Sequence, residues 1–146
     1  MTSTQDLVAT SSIIIDAPRA RVWRALIDPA AAKQYMFGAD VRSDWEQGSP
    51  ITWAGEFHGK PFKDKGEVLH VERERTLQYS HFSAMSGQPD KPENYHVVTI
   101  DLSDAGGKTR VTLQQNNNST EAARQHSQQN WDMMLQGLKK VVEAKK

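Results

Sequence analysis

Toward the end of the chain apolar residues recur with helical spacing: Trp131, Met134, Leu135, Leu138, Val141 and Val142 follow i, i+3, i+4, i+7. The spacing predicts one long helix over residues 118–146. Asn118, with Glu121 three residues on, has the residue types of an N-cap and partial capping box. Lys139, Lys140, Lys145 and Lys146 put positive charge near the negative end of the helix dipole. Run backwards at about 100° per residue, the same stripe meets Gln128, Ser127, Arg124 and Thr120, all polar. One face thus changes character along its length. Either its first half frays into solvent, or the helix lines a partly polar cavity.

Upstream, the pattern is that of strands and short helices. Residues 1–7 are a polar tail, expected to be disordered. The run Ile13-Ile14-Ile15 marks a strand over residues 8–16, ended by Ala17-Pro18. A short helix over residues 19–27 would bury Val22, Trp23 and Leu26, with Pro18 at its start. A second helix begins at Pro29, capped by Asp28, and runs to about Tyr35. Strand-and-turn sequence starts at Phe37, with a turn at Gly48-Ser49-Pro50 and a strand carrying Ile51, Trp53 and Phe57. Gly59-Lys60-Pro61 reads as a turn and residues 65–72 as a strand. A charged turn at residues 72–75 leads to a strand over residues 76–83, and residues 84–93 form a loop long enough to act as a mouth or lid. Residues 95–102 and 109–117 are strands joined by a turn over residues 103–107. One strand, two short helices, an antiparallel meander and one long helix make an α+β fold. A twisting meander curls, and the final helix would cover its concave face.

Register then locates a site. Pairing Leu102 with Thr109 sets Ile100 opposite Val111, Val98 opposite Leu113 and His96 opposite Gln115. A symmetric pairing of the preceding hairpin sets His96 opposite His81, Val98 opposite Tyr79 and Ile100 opposite Leu77. Both keep the apolar side chains on one face and gather His81, His96 and Gln115 at one end of it. The polar half of the helix, running back antiparallel, meets that end. The predicted cavity has an apolar floor of Trp53, Leu77, Tyr79, Val98, Leu113 and Trp131, with His81, His96, Gln115, Arg124 and Gln128 at its polar end. Apolar walls with a few converging polar groups suit a small, largely apolar molecule with a polar end. The plainer alternative is that the histidines bond only to each other and to Gln115. Trp23 is read as core and Trp45 as a loop anchor.

Composition narrows the partners. With 18 basic and 18 acidic residues the formal net charge is zero, which argues against nucleic acid or an anionic membrane held by bulk electrostatics. The absence of cysteine excludes disulfides, thiolate metal sites and a cysteine nucleophile. Two facing histidines without a third ligand do not make a zinc site. Either imidazole could serve as a base, but no serine elbow, phosphate loop or paired carboxylate accompanies them, so the reading leans away from an enzyme. No cofactor and no metal is implied. No signal peptide and no membrane span is visible, and a cytoplasmic domain over residues 8–146 is expected.

Four stretches carry a family resemblance: Val22-Trp23-Arg24-Ala25-Leu26 with Asp28-Pro29, the run from Asp44-Trp45 to Thr52-Trp53, Lys65-Gly66-Glu67-Val68, and the run from Asn130-Trp131 to Lys139-Lys140. In order and spacing the chain resembles the SRPBCC superfamily, in the branch named after the activator of the heat-shock-protein-ninety ATPase. The resemblance implies a helix-grip fold, a curved antiparallel sheet around a long C-terminal helix and a hydrophobic cavity. Tyr35 stands where relatives often have tryptophan. The superfamily holds lipid and hormone binders, polyketide cyclases and chaperone activators, and it offers no catalytic motif to carry over. The eukaryotic activators have a further chaperone-binding domain, for which 146 residues leave no room. Binding of a small hydrophobic molecule is therefore the leading expectation. A stress protein associated with a heat-shock chaperone comes second, and an enzyme of cyclase or hydrolase type third.

Overall fold

The computed structural model describes residues 7–36, 38–57, 59–83 and 87–144, the side chain of Phe57 excepted. The expectations for Phe37, for the start of the mouth loop at residues 84–86, and for Lys145 and Lys146 lie outside these residues. So does the disorder expected of residues 1–6. Leu7, assigned to the same tail, is tied down: its carbonyl accepts from the backbone N–H and the Nδ2 of Asn118.

Strand β1 (Ala9–Ile15) is followed by helices α1 (Arg19–Ile27) and α2 (Pro29–Tyr35). Asp28 caps α2 by accepting from the Ala30 N–H, and Pro18 occupies the N-cap position of α1. Then come β2 (Asp40–Ser43), β3 (Pro50–Phe57), β4 (Lys60–Glu72), β5 (Thr76–Ser83), β6 (His96–Ala105) and β7 (Lys108–Gln115), and the long helix α3 (Glu121–Glu143). The strands form one antiparallel seven-stranded sheet in the order β1-β7-β6-β5-β4-β3-β2. Side chains alternate across it, as a period of two requires, so that Val98, Ile100, Leu102, Val111 and Leu113 are buried on the face that α3 covers. The helix contributes Met134, Leu135, Leu138, Val141 and Val142, the apolar stripe read from the sequence.

Helix α3 also guards the sheet's open edge. An edge strand presents unpaired backbone groups, and along β1 these meet side chains of the helix. Lys139 Nζ donates to the Ile14 carbonyl at 3.0 Å, and Glu143 accepts from the Asp16 N–H at 2.9 Å. Ser11 Oγ donates to Asp132, about two turns earlier on the helix. At the other side of α3, Gly137 lets α2 approach closely: a Cβ there would lie 3.3 Å from Tyr35 Cα.

Four local expectations are corrected. The cap of α3 is Thr120, which accepts from the Ala123 N–H, while Asn118 is drawn inward and buried; both residue types cap well, and only Asn118 has partners in the core. The β6–β7 turn is the pair Gly106-Gly107, not residues 103–107, and it pairs Ala105 with Lys108. Both glycines have positive φ, 63° and 87°, the demand of a tight two-residue hairpin. The register is therefore displaced by two: Val98 faces Gln115, Ile100 faces Leu113 and Leu102 faces Val111. Finally, β4 begins at Lys60 rather than at residue 65, so Lys60 and Pro61 belong to a strand and not to a turn. Pro61 is tolerated because it pairs with Glu56 of β3 beyond the reach of β5, whose last partner on β4 is Asp64.

Candidate functional site

The polar end of the buried face is assembled by strand register. His81 pairs directly with His96 across β5 and β6. Their rings stack with centroids 6.3 Å apart, and the Trp53 ring meets His81 edge-on at 4.9 Å. Tyr79 continues the row, 5.3 Å from Trp53. Burial pushes the Tyr79 hydroxyl well above its ordinary pKa, so it stays a neutral donor.

The extended β4 adds a residue that the sequence reading did not place. Asp64 lies opposite Trp53 on β3 and Ser83 on β5, which makes His81 its diagonal neighbour. Its Oδ2 lies 2.9 Å from His81 Nε2. The signal was available: Phe62, Asp64 and Val68 share the period-two face of β4. Reading a turn through Pro61 hid it.

His96 is held from the side of β7. Its Nδ1 lies 3.1 Å from the Asn116 carbonyl and also 3.1 Å from Gln115 Nε2. A protonated Nδ1 donates to the carbonyl, whereas a bare Nδ1 accepts from the amide, so the two contacts compete for one nitrogen. Burial lowers the pKa of the His96 imidazole, the bond to Asn116 opposes that shift, and the neighbouring His81 lowers it further. Gln115, buried, accepts from Trp131 Nε1 and donates to Asn118 Oδ1. Ser127 of α3 donates to the same Asn118 oxygen at 2.9 Å. The polar first half of α3 does meet the polar end of the sheet, through Asn118 and Trp131.

Arg124 and Gln128 are placed differently. The Arg124 guanidinium is taken by Glu121 in a two-pronged pair and by Gln128 Oε1 at 3.0 Å, all along the helix itself. That pairing raises the Arg124 pKa and lowers that of Glu121. The floor residues Trp53, Leu77, Tyr79, Val98 and Leu113 are buried, and Trp131 is half-buried at the boundary.

Space is unevenly distributed around this cluster. Beneath α3 the core is close-packed, with a cavity of about 20 Å³ walled in part by Tyr35, Met36, Trp45, Trp53 and Met134, room for about one water. Tyr35 closes that wall by donating its hydroxyl to the Leu26 carbonyl at 3.0 Å. Trp45, taken as a loop anchor, forms another part of it with φ at 58°, unusual for a bulky residue. At the polar end lies a larger recess of about 320 Å³, walled by His96, Asn118, Ser127 and His126 and by Gln88, Glu93 and Asn94 of the mouth loop. Its volume falls at the lower bound for small-molecule sites. Among the described residues no group of histidine, aspartate or glutamate side chains has the arrangement of a metal site.

A curved antiparallel sheet closed over a long C-terminal helix, with a polar recess where the two meet, defines a helix-grip protein. The sequence model of the family described as "Activator of Hsp90 ATPase homolog 1-like protein" matches residues 16–143, and the chain belongs to that family, within the SRPBCC superfamily. The solution structure of ChR145 from Cytophaga hutchinsonii is 50% identical, with a TM-score of 0.82 over 94% of each chain. MLL2253 from Mesorhizobium loti shares the fold at 20% identity and a TM-score of 0.75, covering 95% of this chain and 98% of its own. The Aha1 dimer from Colwellia psychrerythraea does so at 20% identity and 0.71, covering 93% and 96%. No curated protein matches the chain. No helix among the described residues is long and apolar enough to cross a membrane.

Proposed function

We propose that this chain binds a small, largely apolar molecule with a polar end where the sheet meets α3. The polar end sits at the cluster of His81, His96 and Gln115, and the apolar part lies against Trp131 and the Trp53–Tyr79 row. The observation that carries this reading is the recess of about 320 Å³ that opens on His96, behind which the His81 ring follows at 6.3 Å and the Trp53 ring 4.9 Å beyond it. Because the cavity beneath α3 is only about 20 Å³, uptake requires side chains to move, and binding shifts the population toward an opened form. Native mass spectrometry of the freshly purified protein, before and after incubation with naphthol, tests the reading. A small-molecule adduct at one-to-one stoichiometry is expected. A chain that stays bare in both samples contradicts it.

The family description favours a second reading, association with a chaperone of the Hsp90 type. A pull-down on the immobilised chain separates the two: specific capture of that chaperone, without any small-molecule adduct, supports the second.

A further inference from the structure

We propose that the polar end of the site receives a hydrogen-bond donor, a hydroxyl or an amine, on Asp64 and His81; this rests on the binding function above. Asp64 is 15% exposed at its side chain and His81 30%. Of the two carboxylate oxygens, Oδ2 faces His81 Nε2, while Oδ1 is buried and has no hydrogen-bond partner among the described residues. Buried polar atoms are nearly always paired, and a lone acceptor asks for a donor. His81 points to the same chemistry. A His81 ring that donates Nε2–H to Asp64 and carries no second proton presents Nδ1 as an acceptor, and the bond to Asp64 is the one hydrogen bond described for this ring. The orphan oxygen thus lies beside a His81 ring that the Trp53 ring fixes from the side at 4.9 Å.

An anionic head is disfavoured on the same grounds. It would lie close to the Asp64 carboxylate, where like charges repel, and Arg124 is already paired with Glu121 and Gln128. The stacked rings of His96 and His81 stand between the recess and Asp64, so the donor reaches the orphan oxygen in the opened form that binding favours.

Naphthol, methylnaphthalene and naphthoate share an apolar body and carry, respectively, a donor, no polar head and an anion. Titration calorimetry on the native protein should give naphthol as the tightest of the three, by about tenfold or more, the factor one satisfied buried hydrogen bond carries. In Asp64→Asn the amide oxygen keeps the His81 bond and the amide NH₂ takes the place of Oδ1. The naphthol advantage should then vanish and naphthoate should gain. Naphthol binding the native protein no better than methylnaphthalene or naphthoate overturns the donor assignment, as it would if a water already pairs Oδ1, and leaves the site standing. Failure of all three to bind overturns the binding function as well. Should Asp64→Asn not fold, the order of the three probes on the native protein decides alone.

Discussion

Replacing Leu138 with alanine is expected to lower the stability of this protein by about 2–5 kcal/mol, the range for removing a fully buried leucine from a close-packed core. Leu138 is 0% exposed and sits in mid-stripe between Leu135 and Val142, which are as deeply buried. The truncated side chain leaves a hole that neither element can fill. On one side α3 is held to β1 by Lys139 and Glu143, and on the other it rests on α2 at Gly137. Those ties limit how far the helix can settle, which favours the upper half of the range. Equilibrium unfolding in urea measures the change. A loss below about half a kilocalorie, the range of surface substitutions, would mean that the helix does not occupy the sheet's covered face.

Gly66→Ala should be comparably damaging, for a different reason. A Cβ at Gly66 would lie 1.8 Å from the Ser80 carbonyl oxygen and 2.6 Å from its carbon. Both are backbone atoms of the neighbouring strand, so no rotamer change can relieve the clash and the strands must part. Overpacking costs about 1–3 kcal/mol when side chains can give way; here about 3 kcal/mol or more is expected. The disturbance falls next to the site, because Asp64 and His81 flank the same contact across β4 and β5. Gly59→Ala is the control: its φ is 79° but nothing lies within 4 Å of the added atom, so only backbone strain of about 1–3 kcal/mol is added. Unfolding of both variants in urea makes the comparison. Equal losses in the two would show that β4 and β5 are farther apart at Gly66 than described.

Much of the fold was legible because its signals are local. The ends of α1 and α2 follow from Pro18, Asp28 and Pro29, and the α3 stripe from its period. The His81–His96 pairing followed from a symmetric pairing of β5 with β6, which puts the apolar residues of both strands on one face. The β6–β7 register did not, because Ser103, Asp104 and Ala105 look like turn residues yet continue the strand up to Gly106-Gly107. The displacement is even, so every side chain kept its face and the predicted polar end survived. His96 reaches Gln115 diagonally instead of directly, through the 3.1 Å contact.

The site was less legible because its members are fixed by tertiary choices. Nothing in the sequence distinguishes Asn118 from Thr120 as a cap; the core around Gln115 and Ser127 makes that choice. Arg124 is on the helix meridian that the stripe implies, but Glu121 at i−3 claims it. Asp64 was masked by Pro61, whose strand-breaking character is harmless once β5 has ended. The missed carboxylate matters most, since it puts an acidic group against His81 at the polar end.

Trp131 offers the most direct test of the binding site. It donates to Gln115 at the boundary between the polar cluster and the apolar core, so a molecule held there must touch its ring. Titrating the native protein with naphthol while following tryptophan fluorescence should give saturable quenching. Trp131→Phe keeps most of the packing volume and leaves Trp23, Trp45 and Trp53 as background; in it the quenching should be much smaller. Undiminished quenching in that variant, with unchanged affinity, would place the bound molecule away from α3 and contradict the site described for this protein.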